Sequence, residues 1–211
     1  MNIKNISKER LIFFTDALIA IIVTILVLDI KVPKIDVKSD RDLLSGLINE
    51  FPHLISFVIS FAAIITIWFT HHDLMELVSH TPRTFAILNF ALVGFLSTIP
   101  FSAALVGEYL ERPLAVAILG GNMLLMNLVL TALFRYSYSN NLIDAEVAKS
   151  KHTMFKRKLA FTGLLVFMVS IFIAYLSPTI ALIMIALVPI LHIIPFHKYR
   201  KNRTDRIKNG K

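Results

Sequence analysis

Residues 10–33 read RLIFFTDALIAIIVTILVLDIKVP. The run is apolar enough to cross a bilayer, yet it carries Arg10 at one end, Asp16 six residues in and Thr24 near its middle. Taken as a helix with about 100° between successive residues, it has two specialised faces. With Ile21 as reference, Leu28 falls at about −20° and Ile25 at about +40°, and Thr24 flanks this aliphatic stripe at about −60°. Asp16 falls at about −140°, nearly opposite. An ionised aspartate inside a membrane helix costs about 2.5–3.5 kcal/mol on insertion scales, so it must face protein and find partners. Two readings stay open for Asp16: a structural polar cluster near the interface, or a proton or ion ligand on a transport path. The aliphatic stripe by itself is ordinary packing material. Thr24 by itself is expected to return its hydroxyl to the carbonyl of residue 20.

Working outward, the whole chain has the same character. Its 211 residues have a mean hydropathy of +0.70, with 56% hydrophobic and 17% charged residues. A soluble domain would carry about 25% charged residues, so the composition predicts an all-α, multi-pass membrane protein of the cell membrane. The absence of cysteine excludes a disulfide framework and a cysteine metal site. Crossing the hydrocarbon core takes about 20 mostly apolar residues. Six stretches meet or approach that length: Leu11–Ile30, Pro52–Thr70, Phe85–Val106, Leu114–Phe134, Leu159–Leu176 and Thr179–His197. The first is expected to be a retained span and not a cleaved signal, because it is long and interrupted by Asp16. Ser177-Pro178 predicts a tight hairpin between the last two, and Pro189 and Pro195 are expected to kink or end the sixth. The expected organisation is one six-helix domain over 1–211, with a short basic tail at about 198–211.

Charge placement sets the expected orientation. Lys and Arg number three before the first span, one in the second loop, six in the fourth and seven in the tail; the first, third and fifth loops hold four, one and none. That is 17 against 5, and the positive-inside rule then predicts that both termini are cytoplasmic. The basic tail reads as an orientation signal that also suits anionic headgroups. Nucleic acid is not an expected partner, since no fold for it remains outside the membrane.

Other polar residues carry weaker signals. HHDLME places His72 and Glu76 four residues apart, with His80 a further turn on, but zinc prefers three or four tight ligands, and no metal is expected. Asn89, Asn122 and Asn127 lie in apolar stretches and are expected to hydrogen-bond between helices. There is no Ser/His/Asp order, Gly-rich phosphate loop or buried carboxylate pair, so no enzyme, catalytic residue or cofactor is expected.

The first stretch, read as R-x-x-x-F-[ST]-D-x-x-x-A-I-x-x-T-x-x-V-L-[DE]-I-x-V-P, resembles the signature of the transmembrane protein 175 family of potassium channels. It is carried here by Arg10, Phe14, Thr15, Asp16, Ala20, Ile21, Thr24, Val27, Leu28, Asp29, Ile30, Val32 and Pro33. The second stretch is similar in Ser56, Phe57 and IWFTHHDLM, with Trp68, His71 and His72; the third in ILNFALVGFLSTIPF, with Asn89, Leu92, Pro100 and Phe101. The motif-rich part covers about the first half of the chain. A single six-helix repeat resembles the prokaryotic form, whose first helices line the central pore of an assembled channel; the expectation here is a homotetramer. The resemblance implies a constriction at Ile21, further rings at Ile25 and Leu28, and a hydroxyl layer at Thr24 tied to cation preference. It implies a helix-bracing network of Arg10, Thr15, Asp16, Trp68, His71, His72 and Asn89, which favours the structural reading of Asp16. Thr15 replaces the family's serine and adds a methyl.

The implied function is a potassium-preferring cation channel gated by hydrophobic rings, with potassium as the permeant ion and the lipid bilayer as surroundings. No TVGYG-like segment, the carbonyl filter of classical potassium channels, occurs in the sequence. Asp29, at about 80°, is expected near the outer mouth, where it would concentrate cations. The alternative is a secondary or proton-coupled transporter using Asp16 and the second-helix histidines, although transporters usually show inverted repeats and broken midplane helices. A membrane scaffold is a third reading.

Overall fold

The computed structural model describes residues 7–36, 38–144 and 151–191, excluding the side chains of 151–159. Among them every regular element is a helix: α1 (Lys8–Val27), α2 (Asp40–Asn49), α3 (Phe51–Leu77), α4 (Arg83–Ser97), α5 (Ile99–Glu108), α6 (Pro113–Ser139), α7 (Lys151–Ala174) and α8 (Pro178–Leu191). Four helical stretches are long and apolar enough to cross a membrane: Lys8–Val27, Phe51–Leu77, Arg83–Glu108 and Pro113–Ser139. The apolar parts Ala160–Ala174 and Pro178–Leu191 are shorter.

The helix ends follow from local chemistry. Pro52, Pro100 and Pro113 sit in the first turns of α3, α5 and α6, where a missing N–H costs nothing. Pro100 also explains why the third apolar stretch is two helices: it has no N–H for the carbonyl of Leu96, and Thr98 N–H turns back to Phe95 O at 3.2 Å instead. After α6, Asn141 takes φ 54°. Asn141 N–H bonds Tyr138 O at 3.3 Å and Leu142 N–H bonds Ser137 O at 2.9 Å, the paired bonds of a Schellman cap. Ser79 N–H then donates to Leu142 O at 2.9 Å, tying the α3–α4 turn to the end of α6.

The first loop contains a helix, α2, which the charge-based reading did not anticipate. Its N-cap is Ser39, whose Oγ accepts from Asp42 N–H at 3.3 Å and donates to Asp42 Oδ2 at 2.9 Å, a close variant of the capping box. The last two apolar helices also differ from expectation. α7 begins at Lys151, and α8 continues through Pro189 to Leu191; Pro195, His197 and the basic tail lie outside the described residues.

The core forms where α3, α4, α5 and α6 meet, around Ile64, Leu74, Phe85, Leu92, Leu96 and Met123, all nearly inaccessible. At Gly120 of α6 an added Cβ would meet Ser170 and Ile171 of α7 and Ile185 of α8 at 3.2–3.4 Å, so a residue without a side chain lets three helices approach. α1 packs against α3, α4 and α5 from one side only.

Candidate functional site

The first helix is divided lengthwise. Leu11, Thr15, Ile19, Ile22 and Leu26 are buried, at about 80–160° in the frame used above. Ala17, Ile21, Thr24, Ile25 and Leu28 are exposed, Ile21 at 52%, Ile25 at 49% and Leu28 at 77%. These lie between about −60° and +40°, so the stripe read from the sequence is on the side of α1 turned away from its own bundle. Thr24 Oγ donates to Ile21 O at 2.7 Å. This is one residue nearer than the carbonyl of residue 20 expected from sequence, the other carbonyl that a helical threonine reaches. Its only proton is committed to the helix's own backbone, so the exposed oxygen is left with its acceptor capacity.

Near its N-terminal end α1 is held by a buried chain of hydrogen bonds. Thr15 Oγ donates to Leu11 O at 2.9 Å, Asn89 Nδ2 donates to Thr15 Oγ at 2.8 Å, and His71 Nε2 stands 2.6 Å from Asn89 Oδ1. The direction of every bond is fixed from one end. A carbonyl only accepts, so Thr15 spends its proton on Leu11 and must accept from Asn89. The amide nitrogen of Asn89 is therefore turned to Thr15 and its oxygen to His71, and His71 must donate from Nε2. Thr15 and Asn89 are inaccessible to solvent and His71 nearly so. The methyl that distinguishes Thr15 from serine is accommodated in this buried position.

Beside this chain, Trp68 Nε1 donates to Asp16 Oδ1 at 2.9 Å. The partner of Asp16 within the protomer is thus a neutral indole on α3. Trp68 also stacks on His72 with ring centres 5.6 Å apart, and His72 Nε2 lies 3.5 Å from Glu76 Oε1. Six of the bracing residues implied by the family resemblance therefore form two adjoining clusters between α1, α3 and α4. Arg10 is exposed and has no hydrogen-bond or ion-pair partner among the described residues. No group of three or more His, Cys, Asp or Glu side chains converges as a metal site among those residues. Asn122 Nδ2 donates across to Ser102 Oγ of α5 at 3.2 Å. Asn127 Oδ1 accepts from Thr131 on α6 itself at 3.4 Å, and among the described residues no bond from Asn127 to another helix accompanies it.

The C-terminal end of α1 meets a second polar cluster that sequence reading missed. Asp29, just past the helix, is turned inward: its side chain is 13% exposed, and Oδ2 lies 3.5 Å from His53 Nδ1. On the other side of the ring, His53 Nε2 lies 3.8 Å from Glu50 and 3.6 Å from Glu108. Lys31 Nζ donates to Glu108 Oε2 at 2.7 Å, and that bond holds the lysine pKa above its usual value. Asp29 Oδ2 and His53 Nδ1 are buried without a hydrogen-bond partner. Gly107 packs directly on the His53 ring, where a Cβ would collide with the imidazole. The one local signal was the i,i+3 spacing of Glu50 and His53; Asp29 with Lys31, and Glu108, lie in other parts of the chain.

A first helix with one face buried in its bundle and an aliphatic face left open, among four helical stretches long and apolar enough to cross a membrane, defines a multi-pass helical membrane protein. Comparison with known proteins gives the family. A family model described as "Endosomal/lysosomal potassium channel TMEM175" matches residues 10–100. The chain is 32% identical over 142 residues to a potassium channel of Chamaesiphon minutus, covering 66% of this chain and 70% of that one. It is 33% identical over 113 residues to the endosomal/lysosomal proton channel TMEM175 of Gallus gallus, covering 51% of this chain but only 23% of that much longer protein. Its fold matches the crystal structure of a lysosomal potassium-selective channel TMEM175 homolog from Chamaesiphon minutus with a TM-score of 0.78 and 25% identity, over 89% of this chain and 97% of that one. The chain belongs to the TMEM175 family. The family is one of ion channels and not of enzymes.

Proposed function

We propose that this chain is a potassium-permeable cation channel that conducts as a homotetramer, with α1 of each subunit lining the central path. The observation that carries the reading is the exposed stripe on α1. A helix clamped to its bundle on one side offers Ile21, Ile25 and Leu28 to whatever lies outside the protomer. One six-helix protomer has no interior wide enough to be walled by a single helix type, whereas four first helices around an axis supply such a wall. In that arrangement the ring of Ile21 is the narrowest point and a dewetting gate, with wider rings at Ile25 and Leu28. The Thr24 layer sits between them. With its proton bonded to Ile21 O, each Thr24 oxygen is free to accept, which suits a partly dehydrated cation. No carbonyl filter is needed in this scheme. Asp29, tied to His53, contributes charge near the mouth from within the wall. The polar clusters around Asp16 and His71 brace α1. The reading includes six spans with both termini cytoplasmic, supported by the Lys and Arg asymmetry.

The relatives' names differ in the permeant ion, potassium in one and protons in another, so the test measures both. Purified protein in planar bilayers is expected to give unitary currents with a reversal potential set by potassium. Ile21→Asn should raise conductance by wetting the constriction, and Thr24→Ala should leave a channel with weaker preference for potassium over sodium. Slow saturable flux without unitary events, or a reversal potential that follows only the proton gradient, would overturn the potassium-channel reading. Unchanged conductance in Ile21→Asn would overturn the pore face.

A further inference from the structure

The ten-residue helix α2 has a surface that stays open among the described residues. Its single buried residue is Gly46, where a Cβ would run into Pro33 and Ile35. Leu44, Leu47 and Ile48 are 58%, 51% and 63% exposed. At about 100° per residue, Leu43, Leu47, Leu44 and Ile48 fall on one arc about 140° wide, in which Asp40 of the first turn is the one charged residue. Gly46 lies on one flank of that arc, and Ser45, Asn49 and Asp42 lie on the polar side. This is an amphipathic helix whose apolar face looks outward, the reverse of a helix that serves a protein core.

We infer that α2 is an interfacial helix, and that its Leu44–Leu47–Ile48 face is buried in the headgroup and acyl boundary of the bilayer on the side where α1 ends and α3 begins. Three observations support this occupant over a second copy of the chain or bulk water. The first is position. Only Glu50 separates α2 from α3, and the 27 residues of α3 span about 40 Å, against about 30 Å for the hydrocarbon core. The first turns of α3, and α2 with them, therefore stand at headgroup level. The second is continuity. Phe51, Leu54 and Val58 of α3 are exposed at helical spacing, and they carry the apolar surface of α2 onward into a span that faces lipid. The third is charge. Around α2 the cations Lys34, Lys38 and Arg41 are matched by Asp36, Asp40 and Asp42, so adhesion comes from apolar area and not from attraction to anionic lipid. Such a helix fixes the height of the α1–α3 connection in the membrane, and with it the outer end of α1.

The chain has no cysteine, so single-cysteine labelling reports on this face directly. Ile48→Cys, Leu44→Cys and, on the polar side, Ser45→Cys would be made in the full chain, labelled with an environment-sensitive fluorophore and reconstituted in phosphatidylcholine vesicles. Labels at 48 and 44 should emit to the blue and be quenched by brominated acyl chains at least twofold more than the label at 45. Aqueous iodide should show the opposite order. The result should be the same when phosphatidylglycerol is added. Three outcomes would overturn the inference. Iodide quenching at 48 and 44 would mean that the face is in water. Quenching at all three positions to the same degree would mean that the assigned face is wrong. Insensitivity to both quenchers, with disulfide crosslinking between unlabelled Ile48→Cys chains, would mean that a second copy covers it. None of these readouts depends on conduction, so failure here is distinguishable from failure of the channel reading.

Discussion

The two ends of α1 are clasped in different ways. At the N-terminal end, Thr15, Asn89 and His71 make neutral hydrogen bonds of 2.6–2.9 Å in one directed chain. At the C-terminal end, Asp29, His53, Glu50 and Glu108 approach at 3.5–3.8 Å with no hydrogen bond between them, and two buried polar atoms have no partner. Hydrogen bonds are directional and steep in distance, whereas charge attraction falls slowly and tolerates many arrangements. The first clasp therefore specifies one geometry, whereas at these distances the second fixes none.

The strongest way to break the comparison is at the directed chain. Asn89→Leu keeps volume but removes both interhelical bonds of the amide, leaving the His71 N–H buried without an acceptor and Thr15 without its donor. Interhelical hydrogen bonds in membrane proteins reach about 1.7 kcal/mol each, so the loss should be roughly 2–3 kcal/mol, read as a lowered thermal midpoint in mild detergent. Adding His71→Phe removes the orphaned donor and should recover part of it. An unchanged midpoint in Asn89→Leu would mean that the chain does not brace α1.

A smaller effect is expected at the other end. Gly107→Ala would push a methyl into the His53 ring. Overpacking costs about 1–3 kcal/mol, and the low end applies because a ring held by no hydrogen bond has freedom to turn. His53→Ala should make the methyl harmless, so the double variant should be no less stable than His53→Ala alone, a non-additivity that a cycle measures. A Gly107→Ala loss larger than that of Asn89→Leu would reverse the ranking of the two clasps.

Asp16→Asn comes next. The asparagine oxygen can still accept from Trp68 Nε1, and the donor is neutral. Only the charge-assisted part of one bond is lost, less than about 1 kcal/mol. Assembly and conductance measured on the same preparation separate the readings of Asp16: normal assembly with abolished flux would make it a permeation residue and not a brace.

Much of this architecture was legible in the sequence, and the remainder was hidden for identifiable reasons. The four long spans follow from apolar length, and the aliphatic stripe of α1 follows from residue spacing, because both are properties of contiguous residues; that the stripe faces outward did not, and was implied only by the family resemblance. The pairing of Asp16 with Trp68 was not: on the residues alone Asp16 stayed open between two roles, and only the family resemblance set Trp68 beside it. The cluster at Asp29 could not be read, since nothing in the chain says that His53 and Glu108 meet there before α3 and α5 are packed. Two features had visible signals that went unused. Ser39 followed three residues later by Asp42 marks the start of α2, and Pro100 marks the break between α4 and α5. Both signals are local capping and proline chemistry, which span length and charge counts do not register.

The least effect is expected from Lys31→Met, and it tests whether the second clasp is as loose as its distances imply. The Lys31–Glu108 bond, at 2.7 Å, is the shortest contact in that cluster, yet its two side chains are 48% and 50% exposed. Water competes for both groups and salt screens them, so such pairs contribute little to stability. The bond raises the lysine pKa. Whatever stability it adds is thus fully present at neutral pH and fades only as pH rises past the ordinary lysine range. The variant should melt with the unaltered protein at neutral pH, in low salt and high salt alike. A midpoint lowered as far as that of Gly107→Ala, and restored toward parity by high salt, would show that Lys31 anchors Glu108 against His53. The C-terminal clasp would then be a tight ionic network and not a permissive one.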